Sequence, residues 1–174
     1  GVLSPEQLLI KAQERGITIL SITDHDTMDG YVVGEAIAEK YGIELISGIE
    51  LSCFEDGVDY HILGYFLDPD YPRLKTHLDI FRRERVKRAE RIVKKLRNLS
   101  VNIHLDDVLE RAGAGTIGRP HIAAEMVKNG YVKDLKNAFD RFLANGKPAF
   151  EGKPKFHVSE GVDLINASGG LAVL

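Results

Sequence analysis

The sequence predicts an α/β fold, and three observations carry that reading. A run of apolar and β-branched residues, Ile17-Thr18-Ile19-Leu20-Ser21-Ile22, leads straight into the polar stretch Thr23-Asp24-His25-Asp26-Thr27. A strand–helix–strand alternation surrounds that junction, as in a parallel βαβ unit, whose strand ends are the usual seat of chemistry. A long block with helical periodicity alone then interrupts the alternation, as an inserted subdomain does. The expected organisation is an α/β portion over residues 1–69 and 151–174 with an α-helical insertion over residues 70–150.

Ser4-Pro5-Glu6-Gln7 opens the first helix, with Ser as N-cap, Pro at the first position and Gln three residues on. Leu8, Leu9, Ile10 and Ala12 give it an apolar face, and Gly16 ends it. Ile17 to Thr23 reads as a buried strand. The next helix runs from about Gly30 to Lys40 with Val33, Ala36, Ile37 and Tyr41 turned inward, and Gly42 stops it. Ile43-Glu44-Leu45-Ile46 begins a second strand that continues through Gly48 to Ser52, parallel and adjacent to the first. Glu55-Asp56-Gly57 signals a hairpin, and Val58 to Phe66 is the returning strand. On it Asp59, His61 and Leu63 share one face, so His61 approaches Glu50 across the strand pair. Pro69 and Pro72 close this part.

From Leu74 to Leu99, the spacing of Leu74, Leu78, Phe81, Ala89, Ile92, Leu96 and Leu99 predicts one long amphipathic helix. Shorter helices over Leu105–Ala112, His121–Lys128 and Leu135–Leu143 are separated by Gly113-Ala114-Gly115, Gly130 and Asn145-Gly146. A capped helix at Ser159–Ala167 and a strand at Leu171–Leu174 resume the alternation. Gly1-Val2-Leu3 enters a capped helix with no strand before it, and the last strand stops at Leu174. The sequence therefore reads as an excerpt of a longer chain.

The 174 residues carry 23 Lys/Arg and 26 Asp/Glu, a net charge of −3, but the charge is unevenly placed. Arg73 to Leu99 holds eleven bases against three acids, a balance of +8, which leaves −11 for the rest. Such a basic helix suits a phosphodiester chain, or it is simply a solvated outer face. It is poor in aromatics, which argues against base stacking there. No apolar run approaches membrane-spanning length. The single Cys53 excludes an internal disulfide and a multi-cysteine zinc site, and points to a reducing cytoplasm.

His25 between two aspartates at a strand end is the first candidate for chemistry, as part of a metal site, because burying such groups unpaired is costly. Helix capping accounts for one aspartate and leaves the histidine unexplained. Glu50 sits between Ile49 and Leu51; it points to solvent from an edge strand, or it is paired, protonated or bound to metal. A carboxylate there can bridge two divalent ions about 3.5–4 Å apart. His61 joins the set by convergence only. Gly118-Arg119-Pro120-His121 opens a helix whose free N–H groups and Arg119 fork suit phosphate or carboxylate, while His121 is either a ligand or a first-turn residue. His77, His104 and His157 lie away from any acid cluster at a strand end.

Thr23-Asp24-His25-Asp26-Thr27, Gly48-Ile49-Glu50-Leu51-Ser52, Tyr60-His61-Ile62-Leu63-Gly64-Tyr65 and Gly118-Arg119-Pro120-His121 occur in this order. Together they resemble the PHP (polymerase and histidinol phosphatase) family of metal-dependent phosphoesterases. The likeness is nearest to its stand-alone 3′,5′-nucleotide bisphosphate phosphatases and 5′-to-3′ exoribonucleases. The resemblance implies a distorted (β/α)7 barrel, incomplete as given, around two or three Mn, Zn or Fe ions. It implies His25, Glu50, His61 and His121 as ligands with Glu50 the bridge, Asp24 as an orienting group and Arg119 as a phosphate-holding one. Mixed His and carboxylate ligands favour such borderline ions over calcium. A nucleotide or short RNA is the implied substrate, with no membrane partner. The family's first His-x-His strand and its later Ala-His-Pro and Asp-x-His motifs are absent here. The chain as given is therefore expected to bind metal poorly and to lack turnover. A histidinol-phosphatase-like activity and a non-catalytic metal-binding module are the alternatives.

Overall fold

The computed structural model describes residues 3–113, 115–152 and 156–174. Gly1 and Val2 of the expected lead-in and Ala114 of the glycine-rich separator lie outside them. The chain divides into two compact units, Gly1–Asp79 with Lys155–Leu174, and Ile80–Pro154.

In the first unit, helix α1 (Pro5–Glu14) is closed at its start by reciprocal bonds. The Gln7 N–H donates to Ser4 Oγ at 3.2 Å, and the Ser4 N–H donates to Gln7 Oε1 at 2.9 Å. Strand β1 (Ile19–Ser21) pairs in parallel with β2 (Glu44–Ile46) across helix α2 (Asp29–Ala38), as the βαβ pattern predicts. Leu9, Ala12, Ala38 and Ile43 form the core beside them, with Leu20 and Leu45 packed on it. Three expected burial patterns are corrected. Ile10 of α1 is exposed, and β1 is not a buried strand, since Ile17 and Ile19 point away from the helices into solvent. In α2 the inward residues are Tyr31, Gly34 and Ala38, while Val33 is 55% exposed and Ala36 is also outside. The reason is close approach: a Cβ at Gly34 would stand 2.9 Å from Leu45 Cδ2 and 3.1 Å from Ile22 Cδ1. Turning the glycine toward the sheet rotates Val33, one position earlier, off that face.

The expected strand from Ile43 to Ser52 is two strands. It breaks at Ser47, whose Oγ donates to the Leu67 carbonyl at 2.7 Å while its own carbonyl accepts the Phe66 N–H at 2.9 Å. Beyond the break, β3 (Gly48–Glu55), β4 (Val58–Tyr65) and β5 (Leu171–Val173) form an antiparallel sheet in that order. No closed sheet is found among the described residues. Alternation assigns Ile49, Leu51, Cys53, Ile62 and Gly64 to one face of this sheet. Helix α7 (Val158–Ala167) packs there, so closely that a Cβ at Gly161 would stand 2.6 Å from Cys53 Sγ and 3.2 Å from Ile62 Cδ1. The opposite face carries Glu50, Ser52, His61 and Leu63.

Helix α3 (Pro72–Asn98) begins in the first unit and runs into the second. Leu74, Phe81, Ala89, Ile92 and Leu96 are buried as expected; Leu99 is 40% exposed because the helix ends at Asn98 and Ser100 turns left-handed. The second unit adds α4 (Leu105–Ala112), α5 (Arg119–Lys128), α6 (Leu135–Ala138) and a π turn over Phe139–Leu143. Ile92, Leu96, Ile103, Val108, Ile122, Met126 and Leu143 are among its core residues. Inside it Glu125 is 1% exposed and fully engaged. Arg111 donates to its Oε2 through Nε at 3.0 Å and Nη2 at 2.8 Å, and Asn129 and Lys128 approach Oε1 at 2.9 and 3.2 Å. Burial pushes this carboxyl up, but hydrogen bonds from Arg111, Lys128 and Asn129 outweigh it and hold the group below the usual carboxylate range.

Among the described residues no helix is long and apolar enough to cross a membrane.

Two outcomes follow from this packing. Gly161→Ala should lose about 1–3 kcal/mol of stability in urea unfolding, and the added Cys53→Ala should recover part of it by removing the sulfur the new Cβ meets. Because the folded-state pKa of Glu125 is depressed, its contribution is fully present above the unfolded carboxylate value of about 4.3 and is lost as pH falls through the folded value. Glu125→Gln should therefore cost about 1.5–3 kcal/mol at pH 7. It should also flatten the acid limb of a thermal-melting profile; an unchanged acid limb would refute the assignment.

Candidate metal centre

The site grows out of the end of β1. The chain stays extended past Ser21, and His25 forms one further parallel bridge with Glu50 of β3. The Glu50 N–H donates to the Asp24 carbonyl at 3.1 Å, and the Asp26 N–H donates to the Glu50 carbonyl at 3.0 Å. Asp26 then turns left-handed, with φ +53°, and its Oδ1 accepts the Ser52 N–H at 2.7 Å. Aspartate is among the few non-glycine residues that take this conformation at low cost. At 3% exposure its carboxylate serves the backbone of β3 rather than solvent.

This lock places the His25 side chain beside Glu50, Nδ1 lying 3.6 Å from Oε1. The β3–β4 register sets Ser52 opposite His61 and Glu50 opposite Leu63. His61 is thus the diagonal neighbour of Glu50 on the same face, within reach for a long side chain. Its Nδ1 stands 2.9 Å from the same Oε1. The two imidazoles meet edge to face with centroids 4.7 Å apart. One ligand atom from each of His25, Glu50 and His61 falls within 4.8 Å of the others. The three side chains are 48%, 25% and 42% exposed, so a ligand can reach them from solvent. Two imidazole nitrogens and a carboxylate oxygen are a donor set that suits a zinc-like or manganese-like ion.

Asp24 contributes its carbonyl to the lock, and its carboxylate lies against α2, where a Cβ at Gly30 would stand 2.2 Å from Oδ2. Neither aspartate caps α2, contrary to the plainer expectation: Met28 holds the N-cap position and Thr27 Oγ1 accepts the Asp29 N–H at 3.1 Å. Arg119 and His121 belong to the second unit. Arg119 Nη1 donates to the Leu143 carbonyl at 3.0 Å, and its guanidinium lies 5.6 Å from the Phe139 ring and 5.6 Å from the Phe150 ring. His121 Nδ1 accepts the Gly118 N–H at 3.1 Å, closing the start of α5. Burial holds this imidazole below the ordinary histidine range. Of the histidines set aside, His77 packs on Phe156 at 4.0 Å, His104 Nδ1 faces Arg97, and His157 Nδ1 lies 3.5 Å from Glu55. Asp26 and Ser52 carry positioning roles that the sequence reading does not give them. The one available signal is that Ser52 alternates with Glu50 on the polar face of β3.

The PHP domain model matches residues 1–138. The chain belongs to the PHP domain family. It is 34% identical over 174 residues to the 5′-3′ exoribonuclease of Haemophilus influenzae, covering all of this chain and 63% of that protein. It is 30% identical over 175 residues to the 3′,5′-nucleoside bisphosphate phosphatase of Chromobacterium violaceum, covering all of this chain and 61% of that one. Among solved structures, it superposes with a TM-score of 0.90 and 30% identity on an amidohydrolase from Chromobacterium violaceum solved with bound sulfate and no metal. That match covers all of this chain and 62% of the other. The PHP chain thus spans less than two thirds of the length of these relatives.

Asp26→Ala should remove the acceptor of a buried N–H and place alanine in a left-handed conformation. The expected loss is about 2–4 kcal/mol in urea unfolding. Asp26→Asn keeps both an acceptor and the tolerated conformation and should lie much closer to the parent; equal losses in the two variants would refute the lock.

Proposed function

We propose that this PHP protein is a metal-dependent phosphoesterase that hydrolyses phosphate esters of nucleotides or RNA, of the 3′,5′-nucleotide bisphosphate phosphatase or 5′-to-3′ exoribonuclease type. The observation that carries the reading is the convergence of His25 and His61 on one oxygen of Glu50. The likeness to the Haemophilus exoribonuclease and the Chromobacterium nucleoside bisphosphate phosphatase supports the substrate class. In the finer fold proposal, residues 1–69 and 151–174 belong to a distorted (β/α)7 barrel and residues 70–150 to its helical insertion. The parallel β1–β2 pair, with chemistry at its carboxyl end, supports it. A reducing cytoplasm is the proposed setting, supported by the single cysteine, the buried Cys53.

In this proposal His25, Glu50 and His61 hold a divalent ion, Mn, Zn or Fe, and Glu50 can serve a second. Neutral imidazoles give nitrogen lone pairs, and the carboxylate offsets part of the cation's charge. A divalent ion there supplies Lewis-acid polarisation of a phosphoryl oxygen. Asp24 and Asp26 keep the ligands in register through backbone bonds, so little reorganisation is needed when charge develops. The family likeness alone adds His121 as a further ligand and Arg119 as a planar fork for the phosphate. A count of two or three ions rests on the same likeness.

The test is a substrate panel on the metal-loaded protein extended at both ends to the length of its relatives: a nucleotide 3′,5′-bisphosphate, a 5′-phosphorylated RNA oligomer and histidinol phosphate. Turnover of one or both of the first two is expected. Glu50→Gln should reduce it by at least about 100-fold with the circular dichroism spectrum retained. Undiminished turnover in that variant, or turnover of histidinol phosphate alone, would sink the proposal.

A further inference from the structure

The net charge of α3 counted along the sequence does not say where that charge points, and the structure sorts it. Arg88 is 5% exposed and gives Nε and Nη2 to the Glu151 carbonyl at 3.0 and 2.7 Å. Lys95 donates to the Phe150 carbonyl at 2.7 Å and pairs with Glu151 at 2.8 Å, and Arg91 lies 3.5 Å from the same carboxylate. Arg97 donates to the Ile103 carbonyl at 3.1 Å. These bases fasten the second unit together.

Arg83, Lys87 and Lys94 are different. At 100° per residue they fall within about 40° of one another around the helix, on the side opposite the buried Ile92 and Leu96. All three are exposed. They span about 17 Å of helix length. Lys87 reaches Glu84 at 2.8 Å, a surface pair of little worth. Glu90 is the acid lying among them, so the stripe remains cationic. On this face the three bases outnumber Glu90, the acid in the same arc.

We propose that the Arg83–Lys87–Lys94 stripe of α3, flanked by Arg91, binds the phosphodiester backbone of single-stranded RNA. The inference deepens the phosphoesterase reading and rests on its RNA branch. Recognition is by phosphate charge alone: no aromatic side chain lies among these positions to stack a base, so affinity grows with strand length and not with sequence. A mononucleotide, which cannot span the stripe, gains nothing from it.

The experiment measures fluorescence anisotropy of a labelled 5′-phosphorylated RNA 12-mer against salt, in chelator, where binding is read without turnover. Arg83→Gln/Lys87→Gln/Lys94→Gln keeps good helix formers in place. It should weaken binding about tenfold at low salt and lower the slope of log affinity against log salt by about 2, at 0.7 per phosphate contact. Lys133→Gln/Lys136→Gln/Lys147→Gln removes the same charge from other exposed positions of the second unit and should leave the slope unchanged. Equal loss in both triple variants, an unchanged slope in the first, or equal competition by an acidic peptide of matched charge would overturn the proposal. If metal-loaded protein shows no hydrolysis while the stripe variant still alters the salt slope, the phosphoesterase reading fails and the stripe stands.

Discussion

The two backbone hydrogen bonds that Glu50 exchanges with Asp24 and Asp26 are what the rest of the centre depends on. Each net hydrogen bond contributes only about 1 kcal/mol to stability, yet leaving such a buried group unmade costs more than that. Their larger consequence is geometric. They carry the register of the parallel β1–β2 pair onto β3, although the chain has already broken at Ser47 and begun a second sheet. The left-handed turn at Asp26 lets its carboxylate take the Ser52 N–H, so β3 is held two residues further along as well. A side chain on either segment is thereby fixed relative to the other, and His25 meets Glu50 with Nδ1 3.6 Å from Oε1.

From there antiparallel pairing does the rest. With Glu50 opposite Leu63, alternation brings His61 to the same face, and a one-residue slip would turn it toward α7. That slip is costly because the other face is filled. Gly161 sits against Cys53 and Ile62, and Gly64 sits against Ile165, each too closely for a larger residue without movement. The apolar packing of α7 therefore specifies which side of β3 and β4 presents ligands. Stability on one face of the sheet and chemistry on the other are a single arrangement.

Much of this is legible in the residues. The βαβ unit, the hairpin at Glu55-Asp56-Gly57, the diagonal reach of His61 and every helix of the second unit follow from periodicity and turn chemistry. What periodicity could not supply was the orientation of α2, because a glycine that marks close approach reads as neutral in a hydrophobic pattern. Val33 looks like core until Gly34 is seen against Leu45 and Ile22. The break at Ser47 was hidden for a related reason: a serine that bonds across twenty residues to Leu67 leaves no local signature. Asp26 was hidden by its versatility, since aspartate before a helix reads as a cap, and its actual bond is to a strand far along the chain.

The charge of α3 and the chemistry of His121 show where a residue's type and its role part company. Eleven bases in α3 and its first loop residue read as one basic element, but Arg88 and Lys95 spend theirs inside the fold on Glu151 and its neighbours. His121 is spent in a similar way. With Nδ1 accepting from Gly118, the neutral ring carries its hydrogen on Nε2, and neither nitrogen then offers a free lone pair to a cation. A histidine that binds metal through Nε2 needs Nδ1 as a donor, facing a carbonyl or carboxylate. Ligation by His121 would require the ring to leave the helix cap and return the Gly118 N–H to water.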